Sequence, residues 1–492
     1  MFSLYLTAAY RTSILKLEME TRQPIFNEQE LYGLLQQVNP WWRTGQVSGK
    51  LPALRRRAFG DVLQTLTHPQ LRRFAVLSGA RRVGKTTVMR QLISHLLAEG
   101  VPAANILYIS FDNPVFKLSG LHAVLETYRQ RNYRSGTCYY FLDEIQYAED
   151  WSLWVKTLYD HYPDLQLVAT GSASPALERG AADSGVGRWR VFRMPTMLFS
   201  EYCELQGIHP LQAPPPGPEA LPAMSASELS LLMTGLGELT PHWYRYLEQG
   251  GFPELLAIDD RETVLNILQE DVVDKVLKRD VPALFDVRNP VQLEKIFLYL
   301  CLHSGSVFNL DTMSSALGVS KPTLSRYISY LCDANLIYLS RNLCATGKKG
   351  LSAQPKIYVA DAALRNAALM RYAPINTETE MGIVAEGAVY KHFLEHYGRS
   401  GEVGFMRGNA RGKNEIDVAV MLRNGSKILC EVKYRNSSEL SAKDALIAHC
   451  HGEEPALHLL ATKSPYDFGR IEAPGAAPLF RIPAAALCYL LT

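Results

Sequence analysis

The 492-residue chain is short of several things that would narrow its function at once. It has no apolar run near the length of about 18 residues that spans a bilayer, which argues against a membrane-embedded protein. Its eight cysteines stand apart, at 138, 203, 301, 332, 344, 430, 450 and 488, and none forms a CxxC pair. That spacing suggests neither a zinc ribbon nor a disulfide framework, and dispersed thiols fit a reducing cytoplasm. The twelve histidines make no HxxxH or HExxH pair, so no zinc site is expected. Charge of one sign is also missing. With 51 Lys+Arg against 49 Asp+Glu the formal net charge is +2, so any nucleic-acid surface has to be a local patch. The start, Met1 to Tyr10, lacks the basic region of a signal peptide; residues 1–18, ahead of Met19, are expected to be an unstructured extension.

What is present is ordinary globular composition, 47% hydrophobic and 20% charged, in a chain long enough for about three or four domains. From 71 to 200 short apolar runs (FAVLSG, ILYISF, YYFLD, LQLVATGS) alternate with helical patterns such as VMRQLISHLL. That alternation predicts an α/β fold with a parallel sheet covered on both faces. Six prolines between 210 and 222 predict an exposed loop, and 226–300 reads as helical. The expected organisation is an N-terminal segment over 1–60, a P-loop core over 61–205, and a proline-rich loop with helical lid over 206–290. A winged helix-turn-helix over 291–350 and a second α/β domain over 351–492 follow.

Residues Gly79-Ala80-Arg81-Arg82-Val83-Gly84-Lys85-Thr86 complete the pattern GxxxxGK[ST], between a strand-like run and the helix-like run that opens at Thr87. Each part has a reason. The glycines let backbone N–H groups close around phosphate oxygens, Lys85 reaches the β and γ phosphates, and Thr86 can ligate Mg²⁺. The strand Tyr139–Leu142 ends in Asp143-Glu144, suited to holding the Mg²⁺ shell and to polarising an attacking water. The pattern therefore calls for ATP and Mg²⁺. A further strand ends in Thr170-Gly171-Ser172, where Ser172 or Thr170 is a candidate γ-phosphate sensor.

GARRVGKTT, FLDEIQ, ATGSAS, Gly187-Arg188, FSEY and Gly250-Gly251-Phe252-Pro253 follow in this order, with Asn39-Pro40-Trp41-Trp42 upstream. Together they resemble a bacterial and archaeal family of AAA-type ATPases with an additional C-terminal domain of poorly defined function. The resemblance runs from about 39 to 435. It implies an AAA-type core, a homo-oligomer with a hexamer among the possible assemblies, and Arg188 as arginine finger or γ-phosphate sensor, with Arg279 as a weaker alternative.

Residues 312–338 resemble a winged helix-turn-helix. Gly318 makes the turn, Ser320 caps, Pro322 suits the first helical turn, and Leu324, Ile328 and Leu331 form a buried stripe. The exposed face offers Lys321, Thr323, Ser325, Arg326 and Ser329 to phosphates and base edges, although such modules also dock proteins. In the C-terminal segment Asp417, then Glu431-Val432-Lys433, make the PD-(D/E)XK nuclease pattern, with Glu386 joining from a helix over 382–397. There the carboxylates of Glu386, Asp417 and Glu431 would hold Mg²⁺, and Lys433 would help position a water. A two-residue turn at Asn424-Gly425 would split Asp417 from Glu431 across the sheet. The arithmetic favours a three-residue loop, 423–425, with Gly425 left-handed.

The reading that follows is a cytoplasmic, Mg²⁺-dependent ATPase that couples turnover to binding or remodelling DNA, chosen by structure rather than sequence. A nucleotide-controlled switch that binds protein is the alternative, and an ATP-gated nuclease a third.

Overall fold

The computed structural model describes residues 26–68, 70–171, 187–211, 215–285, 287–344, 353–407, 415–441, 444–450, 456–471 and 479–492. Contacts divide the chain into two compact units. The described part of the first comprises 26–77, 86–171 and 187–192; that of the second comprises the loop 78–85 and the residues from 193 onward.

The first unit is a five-stranded sheet in the order β2-β3-β4-β1-β5, from β1 (Phe74–Ser78), β2 (Ile106–Ser110), β3 (Cys138–Asp143), β4 (Leu165–Gly171) and β5 (Trp189–Arg193). Strands β2, β3 and β4 pair in parallel. The paired ends of β1 and β5 rise together, Phe74 N donating to Arg188 O and Met194 N to Ser78 O. The continuous apolar runs are strands because helices cover both faces, leaving no side of the pleat to water. Around the sheet lie α1 (Glu28–Val38), α2 (Lys85–Ala98), α3 (Pro114–Arg131) and α4 (Trp151–His161). The core is built from residues such as Leu35, Phe74, Val76, Leu107, Tyr140 and Leu167.

Asn39-Pro40-Trp41-Trp42 has a structural task here. The outer edge of β2 would present unpaired backbone groups to solvent. The Asn39 amide donates to Tyr108 O at 2.9 Å and its carbonyl accepts from Tyr108 N, while the Trp41 and Trp42 indoles both donate to Ile106 O.

In the second unit α5 (Phe199–Leu205) and α6 (Arg261–Leu268) precede a helical stretch that widens to π-type turns over Gln269–Asp274 and Val276–Asp280. Then come α7 (Pro290–Leu302), α8 (Leu310–Leu317) and α9 (Lys321–Asp333). The turn between α8 and α9 forms as its residues require. Gly318 ends α8 with φ +64, Ser320 caps α9 by accepting from Thr323 N, and Leu324, Ile328 and Leu331 are buried. A Ser cap of this kind contributes about 1 kcal/mol.

The strands that follow are β6 (Ile337–Asn342), β7 (Lys356–Val359), β8 (Gly401–Arg407), β9 (Glu415–Leu422), β10 (Lys427–Lys433), β11 (Ala456–Thr462), β12 (Gly469–Ile471) and β13 (Leu479–Pro483). They form one sheet in the order β12-β13-β11-β10-β9-β8-β6-β7, with α10 (Glu378–Tyr397) packed on β8, β9 and β10. Because β6 pairs with β8 through Arg341 and Gly404, one sheet takes strands from both sides of position 350.

Two other sequence motifs prove to be packing devices. Gly251 lies against Met197, where an added Cβ would sit 2.6 Å from the carbonyl oxygen. Gly250 has φ +77, and its Cβ would meet the Asp361 carboxylate at 2.2 Å. Asp361 accepts from Thr196 Oγ1, Gly251 N and Ala363 N and lies 3.5 Å from the buried Lys391 ammonium. The FSEY segment enters α5 through Glu201, which accepts from Leu198 N. Both motifs thus serve close backbone approach and polar satisfaction around Met197.

Candidate functional site

The loop Gly79–Thr86 leaves β1 and enters α2. Arg82 and Gly84 take left-handed backbone angles, φ +62 and +95, which turn successive N–H groups into a concave anion nest. Gly79 is required by the neighbouring strand, since a Cβ there would stand 2.2 Å from Met194 O. Ala80 and Val83 are buried. Lys85 is also buried, and its ammonium donates to the carbonyls of Gly79 and Ala80 at 2.8 Å each, across the mouth of the loop.

Strand order then fixes what stands beside α2. Strand β4 lies between β1 and β3, so Thr170 at its end neighbours Asp143 and Glu144 at the end of β3. The Asp143 carboxylate accepts from three hydroxyls: Thr86 Oγ1 at 2.8 Å, Tyr108 at 2.9 Å and Thr170 Oγ1. Burial, then the Asp143 charge, pushes the Tyr108 hydroxyl far above its ordinary pKa, so it stays a donor. Thr170 Oγ1 also accepts from Glu144 N at 3.0 Å. Glu144 itself holds a left-handed φ of +49 and takes a hydrogen bond from the Gln146 amide. A strained non-glycine residue at a strand end, braced on both sides, has its side chain aimed by the surrounding structure. Of the two strand-end candidates, Thr170 is in contact with Asp143 and Glu144, and Ser172 lies outside the described residues. Tyr108 and Gln146 were missed in the sequence, where nothing but their proximity to the motif strands could have signalled them.

A hydroxyl and a carboxylate oxygen 2.8 Å apart, next to a phosphate loop, are the hard oxygen donors that Mg²⁺ takes, so Thr86 and Asp143 fit that ion.

Arg81 and Arg82 serve the loop with their backbone while their side chains turn to the helical segment of the second unit. Arg81 makes a two-pronged pair with the buried Asp280, at 2.5 and 2.8 Å, and Arg82 pairs with Asp271 and with Glu254. Arg188 is held by Asp160 of α4 at 2.9 and 3.2 Å. Its carbonyl pairs with Phe74 N at the start of β1, four residues before Ser78. At about 3.3 Å per residue that is roughly 13 Å from the loop end of the strand. Arg279 is exposed.

On α9, Ser325 and Arg326 are exposed and Thr323 is half-buried, its hydroxyl 2.9 Å from Ser320 Oγ. Lys321 is exposed and paired with Asp311.

The C-terminal cluster has the register the arithmetic requires. Strand β10 pairs antiparallel to β9 through Cys430↔Val418, the loop closes with Leu422 N donating to Ser426 O, and Gly425 has φ +86. Continuing that pairing sets Asp417 opposite Glu431 on one face. Lys433 pairs with Glu431 at 2.7 Å, and Asp417 Oδ2 accepts from Val432 N at 2.9 Å. Burial, then Asp417, raises the Glu431 carboxyl to about 8; the same two causes, in that order, raise Glu386 to about 7. Lys356, unmarked in the sequence beyond being a lone cation at the head of an apolar strand, sends its ammonium into the cluster. It lies 3.0 Å from Glu386, 2.6 Å from Glu415 and 3.2 Å from Asp417. Burial opposes its charge, but the three carboxylates outweigh that and raise its pKa. Tyr358 donates to Glu386 at 2.8 Å. Among the described residues, no group of three His, Cys, Asp or Glu side chains is placed to hold a metal ion.

Residues 71–203 match a family model described as an AAA domain. The parallel-sheet core over these residues is of the AAA type. Residues 240–374 and 381–478 match two models described only as domains of unknown function. An uncharacterized protein of Haemophilus influenzae is 27% identical over 303 residues, 60% of this chain and 68% of that one. One of Methanocaldococcus jannaschii is 26% identical over 291 residues, 58% of this chain and 60% of its own length. Among solved structures, the Aeropyrum pernix ORC2 protein in its ADPNP–ADP complexes covers 67% of this chain and 96% of its own. Its identity to this chain is 11% and the TM-score 0.35. Among the described residues, no helix is long and apolar enough to cross a membrane.

Proposed function

We propose that this protein is a Mg²⁺-dependent ATPase that couples ATP binding and hydrolysis to binding or remodelling of DNA. The observation that carries the ATPase reading is the convergence of Thr86, Asp143, Glu144 and Thr170 at neighbouring strand ends beside a phosphate loop. The loop N–H groups and the positive end of α2 receive the phosphates, and Lys85 leaves the carbonyls of Gly79 and Ala80 to neutralise the β and γ oxygens. Thr86 and Asp143 would hold Mg²⁺, whose charge would offset that of the phosphates. Glu144 takes the proton of the attacking water. Thr170, bonded to the Asp143 carboxylate and to Glu144 N, positions both residues. Since Arg188 stands at the far end of β1, assembly into a homo-oligomer is the arrangement in which it would reach a phosphate. The eight free thiols favour the cytoplasm as compartment.

The DNA half of the reading rests on the helix-turn-helix, with Ser325 and Arg326 exposed on α9. A switch that docks protein is favoured by one observation: Lys321 is already neutralised by Asp311, which leaves that face weakly basic. Phosphate release measured with single-stranded, duplex and branched DNA separates the two readings. Acceleration by DNA that fades with added salt supports DNA coupling; turnover indifferent to every DNA supports the switch. Lys85→Ala should abolish turnover, and Glu144→Gln should keep ATP binding without hydrolysis. Full hydrolysis by Glu144→Gln would show that the acids are misassigned.

A further inference from the structure

We propose that the ammonium of Lys356 is the resident cation of the C-terminal carboxylate cluster, so that this nuclease-like site works without a divalent metal and does not cut phosphodiesters. The inference is independent of the ATPase reading, because it concerns only side chains of α10, β7, β9 and β10.

Three carboxylates from two elements converge on one nitrogen: Glu386 from α10, and Glu415 and Asp417 from β9. Lys356 is 2% exposed and its backbone is fixed, pairing with Ser340 of β6 on one side and bridging to Val307 on the other. It cannot swing out to solvent as a surface lysine does. The oxygens a metal would take are already engaged. Glu386 Oε1 accepts from both Lys356 and Tyr358, Asp417 Oδ1 from Lys356, and Asp417 Oδ2 from Val432 N. A divalent ion on those oxygens would stand within a few ångströms of the buried ammonium, with little water to screen the repulsion. Fixed carboxylates around a buried charge need a compensating cation, and the chain supplies one covalently.

Glu431 differs from the other three. Its Oε1 faces Lys433, while Oε2 is buried without a hydrogen-bond partner. Together, Lys356 and Lys433 set two ammonium groups beside the four carboxylates of Glu386, Glu415, Asp417 and Glu431, a balance close to that of a carboxylate site loaded with one divalent ion. The domain keeps the arrangement of a metal-dependent nuclease and replaces its metal by side chains, as suits a module that binds without cleaving.

The test is Mn²⁺ binding to the full chain without nucleotide, followed by electron paramagnetic resonance, in wild type, Lys356→Met, Asp417→Asn and the double variant. Any Mn²⁺ at Thr86 and Asp143 is common to all four and cancels. The expected result is the same stoichiometry for wild type and Asp417→Asn, one additional Mn²⁺ per chain in Lys356→Met, and loss of that extra site in the double variant. A wild-type site that Asp417→Asn removes overturns the proposal, and so does a folded Lys356→Met protein that gains no Mn²⁺. If Lys356→Met does not fold, wild type against Asp417→Asn still decides. Equal stoichiometry, with no Mn²⁺-dependent nicking of plasmid DNA by wild type, supports the proposal; a lost site or nicking refutes it.

Discussion

Replacing Gly79 by alanine tests the claim that close packing against β5 positions the phosphate loop. A Cβ at Gly79 would lie 2.2 Å from the Met194 carbonyl oxygen and 3.1 Å from its carbon, both backbone atoms that cannot rotate away. Ordinary contact lies above about 3.3 Å, so the loop and strand must part by about 1 Å. Met194 N donates to Ser78 O at 2.7 Å, so that movement strains the bond joining the strands just before the loop. Overpacking of this kind costs about 1–3 kcal/mol of stability. A 1 Å misplacement of groups that must cradle a transferring phosphate costs on the order of 100-fold in rate. Gly79→Ala should therefore fold, with a lower midpoint in denaturant, and lose about two orders of magnitude in phosphate release, with weaker binding of a fluorescent ADP analogue. Gly60→Ala is the matched control, since its Cβ would meet nothing within 4 Å in an ordinary helix. It should be neutral or slightly stabilising. Turnover and affinity of Gly79→Ala within about twofold of Gly60→Ala would refute the reasoning.

Two further outcomes follow from the same geometry. Thr170→Val keeps the shape of the side chain but removes the hydroxyl that joins Asp143 to Glu144 N. Steady-state kinetics should show turnover reduced by about 10- to 100-fold, as expected for a positioning hydrogen bond, with ATP affinity nearly unchanged; equal losses in both would assign it to binding. The raised Glu431 carboxyl has a signed consequence. A folded pKa of about 8 exceeds the unfolded value, so its stabilising contribution is complete at low pH and is lost as pH rises toward 8. Gln imitates the protonated form. Thermal midpoints of Glu431→Gln relative to wild type should therefore climb between about pH 5 and pH 8, and a difference independent of pH would show that the carboxylate is ionised throughout.

Strands β1 to β4 were legible because each is a continuous apolar run closed by a turn or a motif, and period and length suffice to read that. The C-terminal hairpin was legible for a different reason: requiring two carboxylates on one face fixes the register, and register fixes loop length. The partners Tyr108, Gln146 and Lys356 were not legible. Tyr108 and Lys356 are defined by contacts across the sheet, 35 residues from Asp143 and 61 from Asp417, and Gln146 by the tight turn that folds it back on Glu144. No local pattern records which strands become neighbours. Order β2-β3-β4-β1-β5 brings Thr170 between the two nucleotide motifs, and no feature of ATGSAS taken alone says so.

The motifs that carry the family resemblance divide on physical grounds into two kinds. Asp143 and Thr86 expose oxygen donors to one another, and their bonds can be exchanged for bonds to an ion or a phosphate without unfolding anything. Asn39-Pro40-Trp41-Trp42, FSEY and Gly250-Gly251 spend their polar groups on backbone: Asn39 closes the edge of β2, Glu201 caps α5, and Gly251 lets Met197 approach. Replacing one of these leaves a buried donor or acceptor bare or drives two backbones apart, so its loss would show first in stability. Arg81 and Arg82 belong to both kinds. Their backbone shapes the phosphate loop, and their side chains are pinned to Asp280 and Asp271 in the widened helical segment. A loop that tightens around a phosphate has to pull on those ion pairs or release them. That segment ends at Phe285, which stacks on Tyr330 of α9 at 4.4 Å. A short, continuous route inside the second unit thus leads from the phosphate loop to the helix-turn-helix, the path that coupling between nucleotide and α9 would require.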